Sequence, residues 1–314
     1  MRMKTFILLG ALVVMAVSGA QLIALSWQAP EAQPGKPPTS TQPGKRVYIS
    51  ADIEGISGVT GAEQTSAAGA EYGRGRRLMT EDVNAAIRGA LDGGATDIVV
   101  NDSHGSMRNI LPEELSRPAH LISHSFKRDG MMEGLDETFD AVFLVGYHAK
   151  ADSPVGLFAH TGSGVVGDVQ INGRSVGEGG MNTLVAAWYG VPVVMVTGDD
   201  VAVAQVKEVA TEARGVAVKR AINLRAAELR PLAEAHEEIQ RTAREAVAGA
   251  KKFAPRRTGP YRWTIRFRTF LIPEVAESIP CVERPAPDTL SFSTESMPAG
   301  YRLFRVLYRY INPE

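Results

Sequence analysis

Short apolar runs alternate with segments of helical spacing from about residue 45 to residue 215 of the 314-residue chain. Four runs are rich in β-branched residues and predict buried strands at residues 47–49, 98–100, 141–145 and 191–196. Between the first two, we expect a helix that begins at Thr80, with acids in its first turn, and ends at Gly93. This alternation predicts an α/β fold with a mostly parallel sheet flanked by helices.

The pattern changes after residue 222. Residues 224–252 have helical spacing, and residues 264–270 alternate with a period of two, which is typical of a strand with one solvated face. A short helix, a strand and a closing helix are expected at residues 273–278, 289–293 and 301–311. We therefore expect an α/β domain over residues 45–222 and a smaller α+β C-terminal lobe over residues 223–314. Within the first part, Asn172-Gly173 lies between two short strand-like runs and predicts a type I′ hairpin.

The N-terminus has the layout of an export segment. Arg2 and Lys4 precede an uncharged apolar run over residues 6–27, which is typical of a cleaved signal peptide and is also long enough for an uncleaved membrane anchor. Residues 28–44 are rich in Pro, Gly and Gln and predict a disordered tether. Either alternative predicts an exported, extracytoplasmic protein, soluble after cleavage or held at the cytoplasmic membrane through residues 6–27.

Composition narrows the class of protein. The formal net charge is −1 and the sequence has no basic stripe, so we expect no nucleic-acid partner. Cys281 is the only cysteine, which excludes an intrachain disulfide. The core must therefore be stabilised by burial of apolar surface.

Acids and histidines cluster where the predicted strands end. Because ligands bind outside the carboxyl ends of strands in an open α/β sheet, we expect six side chains at one edge: Asp52, Glu54, His104, His148, His160 and Glu178. Mixed imidazole and carboxylate ligands suit zinc, and about five of them suit two ions that share a bridging carboxylate. Residues 45–222 would then be a metal-binding catalytic domain that hydrolyses amides.

Single motifs carry little weight here. Asp52 and Glu54 leave the same side of an extended segment, but an isolated Asp-x-Glu is more often a solvated loop or a helix cap. Asp102, beside His104, either orients that histidine or caps the turn. His120 and His124 flank the apolar Leu121-Ile122 with no acidic partner nearby, and His236 lies in a charged helix beside two glutamates. We expect these three histidines to be structural or surface groups.

Several motifs in order resemble the zinc-dependent D-aminopeptidases of the DppA type. The resemblance covers residues 47–222 and rests on Ser50-Ala51-Asp52-Ile53-Glu54-Gly55-Ile56-Ser57-Gly58, Arg77-Leu78-Met79-Thr80, Asn101-Asp102-Ser103-His104, Gly146-Tyr147-His148-Ala149, Val176-Gly177-Glu178 and Gly198-Asp199-Asp200. It implies that two zinc ions are bound by Asp52, Glu54, His104, His148 and Glu178. It also implies that Asp52 bridges the ions, and that His160 is catalytic rather than a ligand.

The same resemblance implies a substrate and an assembly. Family members remove an N-terminal D-residue, typically D-alanine, from short peptides, and they form a ring-like homodecamer with an internal cavity. This sequence departs from the familiar cytoplasmic pattern of the family by its export segment and its tether. Export would let the enzyme meet D-alanyl peptides released from the cell wall.

Two alternatives remain at this point. A metal-dependent amidohydrolase or L-peptidase could use the same scaffold, because a ligand set determines metal chemistry and not stereochemistry. An exported, non-catalytic solute-binding protein of two lobes also fits the outline. A binding protein has no need for five converging metal ligands and a further histidine, so metal content distinguishes it from the enzymes.

Overall fold

Two β-sheets organise the chain in a computed structural model, which describes residues 44–257 and 259–311. The expected signal or anchor at residues 1–27 and the tether at residues 28–44 lie outside the described residues, except for Gly44. Within the described ranges, no helix is long and apolar enough to cross a membrane.

Twelve strands and seven α-helices are assigned within these ranges. The strands are β1 (Lys45–Ala51), β2 (Ala95–Asp102), β3 (His120–Ile122), β4 (Ala141–Tyr147), β5 (Val166–Ile171), β6 (Arg174–Ser175), β7 (Val193–Asp199), β8 (Arg214–Ala221), β9 (Ala227–Leu229), β10 (Tyr261–Phe267), β11 (Glu283–Ala286) and β12 (Thr289–Thr294). The helices are α1 (Ala62–Thr65), α2 (Tyr72–Asp92), α3 (Glu178–Trp188), α4 (Asp200–Val209), α5 (Leu232–Gly249), α6 (Leu271–Ala276) and α7 (Met297–Arg309).

The larger sheet has seven strands in the order β3-β2-β1-β4-β7-β8-β9. Its strands are parallel except for β9, which runs antiparallel to β8. Ile49 and Val145 of the central strands share one core with α2 and α5, whereas Tyr48 and Leu144 share another with α3 and α7. Because both faces are covered, the central strands are continuous apolar runs. The predicted α/β fold with a mostly parallel sheet flanked by helices is confirmed.

The smaller sheet is antiparallel and has the order β11-β12-β10-β5-β6. Asn172 and Gly173 join β5 to β6 with φ angles of 52° and 79°, which confirms the predicted type I′ hairpin. β5, which precedes residue 222, pairs with β10, which follows it. The hairpin and the C-terminal strands thus share one sheet, and the described residues form one compact unit.

The predicted start of the first long helix is wrong. Helix α2 begins at Tyr72 rather than at Thr80, whose Oγ1 donates a hydrogen bond of 2.9 Å to Arg76 O inside the helix. The first turns of α2 contain glycines, which have low helix propensity, so the sequence pattern does not indicate where the helix begins. One of them, Gly75, is required by packing, since a Cβ atom there would lie 2.0 Å from Gln64 O.

The sheet brings three strand ends to one edge. β1 lies between β2 and β4, and the register pairs Ala51 with both Asp102 and Val145. Residues that follow these three strands therefore lie side by side, as the carboxyl ends of neighbouring parallel strands must.

Candidate metal centre

All six predicted site residues lie together at this edge. Asp52 and Glu54 follow β1, and His104 follows β2. His148 follows β4, and Glu178 is the first residue of α3. His160 lies in the loop between β4 and β5.

Carboxylate oxygens face imidazole nitrogens across short distances. His104 Nδ1 lies 3.3 Å from Asp52 Oδ1 and 3.0 Å from Glu54 Oε2. His148 Nε2 lies 3.5 Å from Asp52 Oδ2 and 3.4 Å from Glu178 Oε2. Asp52 therefore presents one oxygen to each histidine.

Three groups of three residues offer ligand atoms that all lie within 4.8 Å of one another. The first contains Asp52, Glu54 and His104. The second contains Asp52, His148 and Glu178. The third contains Glu54, His148 and His160. The first two share only Asp52 and together use the five predicted ligands.

Backbone carbonyls orient the three imidazoles. His104 Nε2 contacts Thr65 O at 3.0 Å, His148 Nδ1 contacts Ala149 O at 2.9 Å, and His160 Nδ1 contacts Phe158 O at 2.8 Å. A carbonyl oxygen can only accept a hydrogen bond, so the ring nitrogen that contacts it carries the hydrogen. In the neutral ring the other nitrogen then carries a lone pair. Each lone pair is then directed at the acidic centre, as in histidines that bind metals.

Two buried polar atoms at the centre lack hydrogen-bond partners among the described residues. They are Glu54 Oε2 and His148 Nε2, whose contacts with neighbouring groups lack hydrogen-bond geometry. Buried polar atoms are normally paired, so an unpaired carboxylate oxygen beside an unpaired imidazole nitrogen indicates a place for a cation. Mixed nitrogen and oxygen donors of this kind fit zinc.

Opposite charges compensate one another in this cluster. Burial and the neighbouring Glu54 raise the pKa of Asp52 to about 8. Burial alone would lower the pKa of His148, but the surrounding carboxylates, Glu178 first, raise it to about 10. A metal ion requires deprotonated ligands, so a divalent cation would take the place of the protons that these groups hold.

His160 is more exposed than the other two histidines of the site, His104 and His148. Its side chain is 27% exposed, and its ring stacks on His148 with centroids 4.0 Å apart. His160 Nε2 lies 3.8 Å from Glu178 Oε1. Burial and the charge of His148 lower its pKa, which favours the neutral imidazole at neutral pH. A neutral, solvent-reachable imidazole can exchange a proton with a substrate.

Neighbouring residues hold the loops of the site. Asp102 caps the turn after His104: its Oδ2 accepts from the backbone N–H of Ile110 at 2.8 Å, and its Oδ1 accepts from Asn109 Nδ2 at 2.7 Å. His236 lies outside the site, where its Nε2 is 3.0 Å from Asp82 Oδ1 and joins α5 to α2. His120 and His124 are exposed. Capping is one of the two roles that the sequence left open for Asp102, and His236 is structural, as the sequence predicted.

Sequence reasoning missed two buried lysines behind the site. Lys219 Nζ donates to backbone carbonyls of the loop after β1, and Lys127 Nζ donates to groups at the ends of β2 and β3. Burial lowers the pKa of each lysine to about 8, so both remain mostly charged at neutral pH. A lysine inside the apolar run of β8 was a signal for Lys219, whereas Lys127 has no comparable sequence signal.

Comparison with known proteins agrees with this geometry. The D-aminopeptidase family model matches residues 45–306. A D-aminopeptidase from Bacillus subtilis (strain 168) is 36% identical over 265 residues, which cover 83% of this chain and 96% of the relative. A solved structure, the Zn-dependent D-aminopeptidase DppA from Bacillus subtilis, described as a self-compartmentalizing protease, superimposes with a TM-score of 0.81 at 33% identity. That match covers 86% of this chain and 99% of the other.

The match over most of the chain, in both sequence and fold, confirms the resemblance that the ordered motifs predicted. It also favours the enzyme over the solute-binding alternative. The chain therefore belongs to the D-aminopeptidase family of metallo-hydrolases.

Proposed function

We propose that this protein is a two-zinc aminopeptidase that removes the N-terminal residue, D-alanine, from short peptides. The observation that carries the proposal is the pair of three-residue groups that share Asp52 and no other residue. The names of its relatives, a D-aminopeptidase and a Zn-dependent D-aminopeptidase, support the choice of metal and of substrate stereochemistry.

Five residues would hold the metal. One zinc ion would be bound by Asp52, Glu54 and His104, and the other by Asp52, His148 and Glu178. Bound there, zinc supplies a Lewis acid for the scissile carbonyl and lowers the pKa of a nearby water. The protein's own contribution is to orient the ligands and to hold them in a buried, acidic pocket.

His160 would be the catalytic residue. Its Nδ1 is engaged by Phe158 O, which leaves Nε2 as the atom that can exchange a proton with the substrate. Because Nε2 carries no hydrogen in the neutral ring, it would first accept a proton from the attacking water. Donation of that proton to the leaving amine, or a hydrogen bond from it to the developing oxyanion, would lower the barrier to peptide cleavage. The loop that carries His160 is held in place because Leu157 N–H donates to Asp199 Oδ2 at 2.8 Å.

The assembly and the cellular location are also proposals. The relative described as self-compartmentalizing supports a homo-oligomer, and the family resemblance suggests a decamer. The basic residues before the apolar run at residues 6–27 support export, with the chain either released or anchored in the membrane. Peptides released from the cell wall would then be accessible substrates.

Metal analysis of the purified full-length protein tests the proposal. We expect two zinc ions per chain, loss of D-alanyl peptide hydrolysis after dialysis against a chelator, and recovery when zinc is added back. Each of the two groups contains an unpaired ligand atom that a cation can satisfy, and the bound cation would polarise the substrate carbonyl. A protein without zinc whose activity resists the chelator would contradict the proposal.

A further inference from the structure

We propose that Lys219 and Lys127 are positioning residues of the metal centre, each holding one ligand-bearing loop through its ammonium group. The inference rests on the proposed metal function. It concerns two residues whose ammonium groups donate to backbone carbonyls and, for Lys127, also to the side-chain amide oxygen of Asn101.

The Lys219 ammonium is enclosed by the loop that follows β1. Its Nζ donates to Glu54 O at 2.6 Å, to Ile56 O at 3.0 Å and to Val59 O at 2.6 Å. An ammonium has three N–H donors, so the three carbonyls use all of them. Lys219 is only 1% exposed, and such a buried charge is tolerated only because these bonds satisfy it.

The same loop is also fixed by β4. Asp52 N–H donates to Val145 O, and Gly55 N–H donates to Gly146 O, both at 2.8 Å. A Cβ atom at Gly55 would lie 2.0 Å from Tyr147 O, so the loop lies directly against the strand. Lys219 extends from β8, two positions beyond β4 in the sheet, and adds a second anchor. Asp52 and Glu54 are thus presented by a loop that two anchors hold.

Lys127 performs the equivalent task for His104. Its Nζ donates to Asn101 Oδ1 at 2.7 Å, to Asp102 O at 2.6 Å and to Ile122 O at 2.9 Å. Two of the acceptors lie at the end of β2, directly before the loop of His104, and the third lies at the end of the neighbouring β3. Without the ammonium, buried carbonyls at both strand ends would lose their donor, and such groups are rarely left unpaired.

Charge and geometry make opposite predictions for zinc affinity. A buried cation near a zinc site repels the metal, so if charge alone mattered, removal of the lysine would tighten zinc binding. If the lysine positions the loop, its removal lets the ligands move apart and weakens zinc binding. The direction of the change therefore identifies the role.

The experiment compares Lys219→Met and Lys127→Met with Lys45→Met in the full-length chain. Lys45 is a matched control, because its Nζ also donates to two backbone carbonyls, those of Val247 and Ala248, at the opposite edge of the same sheet. Zinc affinity is measured by competition with a chromogenic chelator, and folding of the metal-free protein by near-ultraviolet circular dichroism and thermal unfolding. We expect a loss of about 10- to 100-fold in zinc affinity for each test variant and no change for the control.

Zinc affinity equal to or tighter than that of the wild type in folded Lys219→Met and Lys127→Met would overturn the proposal. A lower unfolding temperature with unchanged zinc affinity would likewise overturn it, since that is a purely structural role. If Lys219→Met does not fold, Lys219→Gln, whose amide can still donate hydrogen bonds without a charge, is measured against the same two outcomes. A wild-type protein that binds no zinc would instead refute the proposed function.

Discussion

Replacement of His160 by alanine is expected to leave two zinc ions bound and to lower kcat for D-alanyl peptides by about 10²- to 10⁴-fold. Five other side chains complete the two groups that share Asp52, so the metal does not need His160. The loss of rate reflects the proton or hydrogen bond that Nε2 supplies. Zinc content and steady-state kinetics on the same preparation measure both effects.

His124→Ala is the matched control, because His124 is an exposed histidine beyond the site. It should retain both zinc ions and full activity. His160 also belongs to a third group with Glu54 and His148, so the structure allows a ligand role as well. If His160→Ala loses zinc in proportion to activity, His160 is a ligand and its catalytic assignment is wrong.

Asp52→Asn is expected to reduce bound zinc to one ion per chain or none and to lower activity by about 10²- to 10³-fold. Asp52 is the only residue common to the two groups, and its two oxygens face different histidines. The neutral amide of asparagine offers one uncharged oxygen in place of two that share a negative charge, so it is a much weaker ligand for two cations. Loss of several kcal/mol of charge stabilisation corresponds to a rate loss of this size.

Asp97→Asn controls for the change of charge, because Asp97 pairs with Arg46 at the opposite edge of the sheet. It should bind two zinc ions and keep its activity. Glu178→Gln, which alters only one of the two groups, should lose one ion and leave the other. Two tightly bound ions in Asp52→Asn, with activity near that of the wild type, would contradict the bridging role.

The fold and the convergence of the site followed from local patterns. The β-branched runs before Asp52, His104 and His148 indicated buried parallel strands, and parallel strands place their carboxyl ends at one edge. That geometric rule, rather than any single motif, predicted which acids and histidines would meet. The hairpin at Asn172-Gly173 could likewise be predicted from local sequence, because the turn type depends on those two residues.

Other features depend on contacts between distant parts of the chain. Pairing of β5 with β10 joins segments that no local pattern connects. The start of α2 was hidden because Gly75 is selected by close packing against Gln64 rather than by helix propensity. Lys219 reaches the loop of Glu54 across two intervening strands, so its role becomes visible only when the sheet order is known.

Substrate stereochemistry depends on the shape of the pocket, so it is measured most directly with a pair of dipeptides of opposite configuration. The decisive measurement compares hydrolysis of D-Ala-D-Ala and L-Ala-L-Ala by the zinc-loaded full-length protein under identical conditions. We expect cleavage of D-Ala-D-Ala, with kcat/KM for L-Ala-L-Ala lower by about tenfold or more. Equal values for the two dipeptides, or a preference for L-Ala-L-Ala, would contradict specificity for the D-residue.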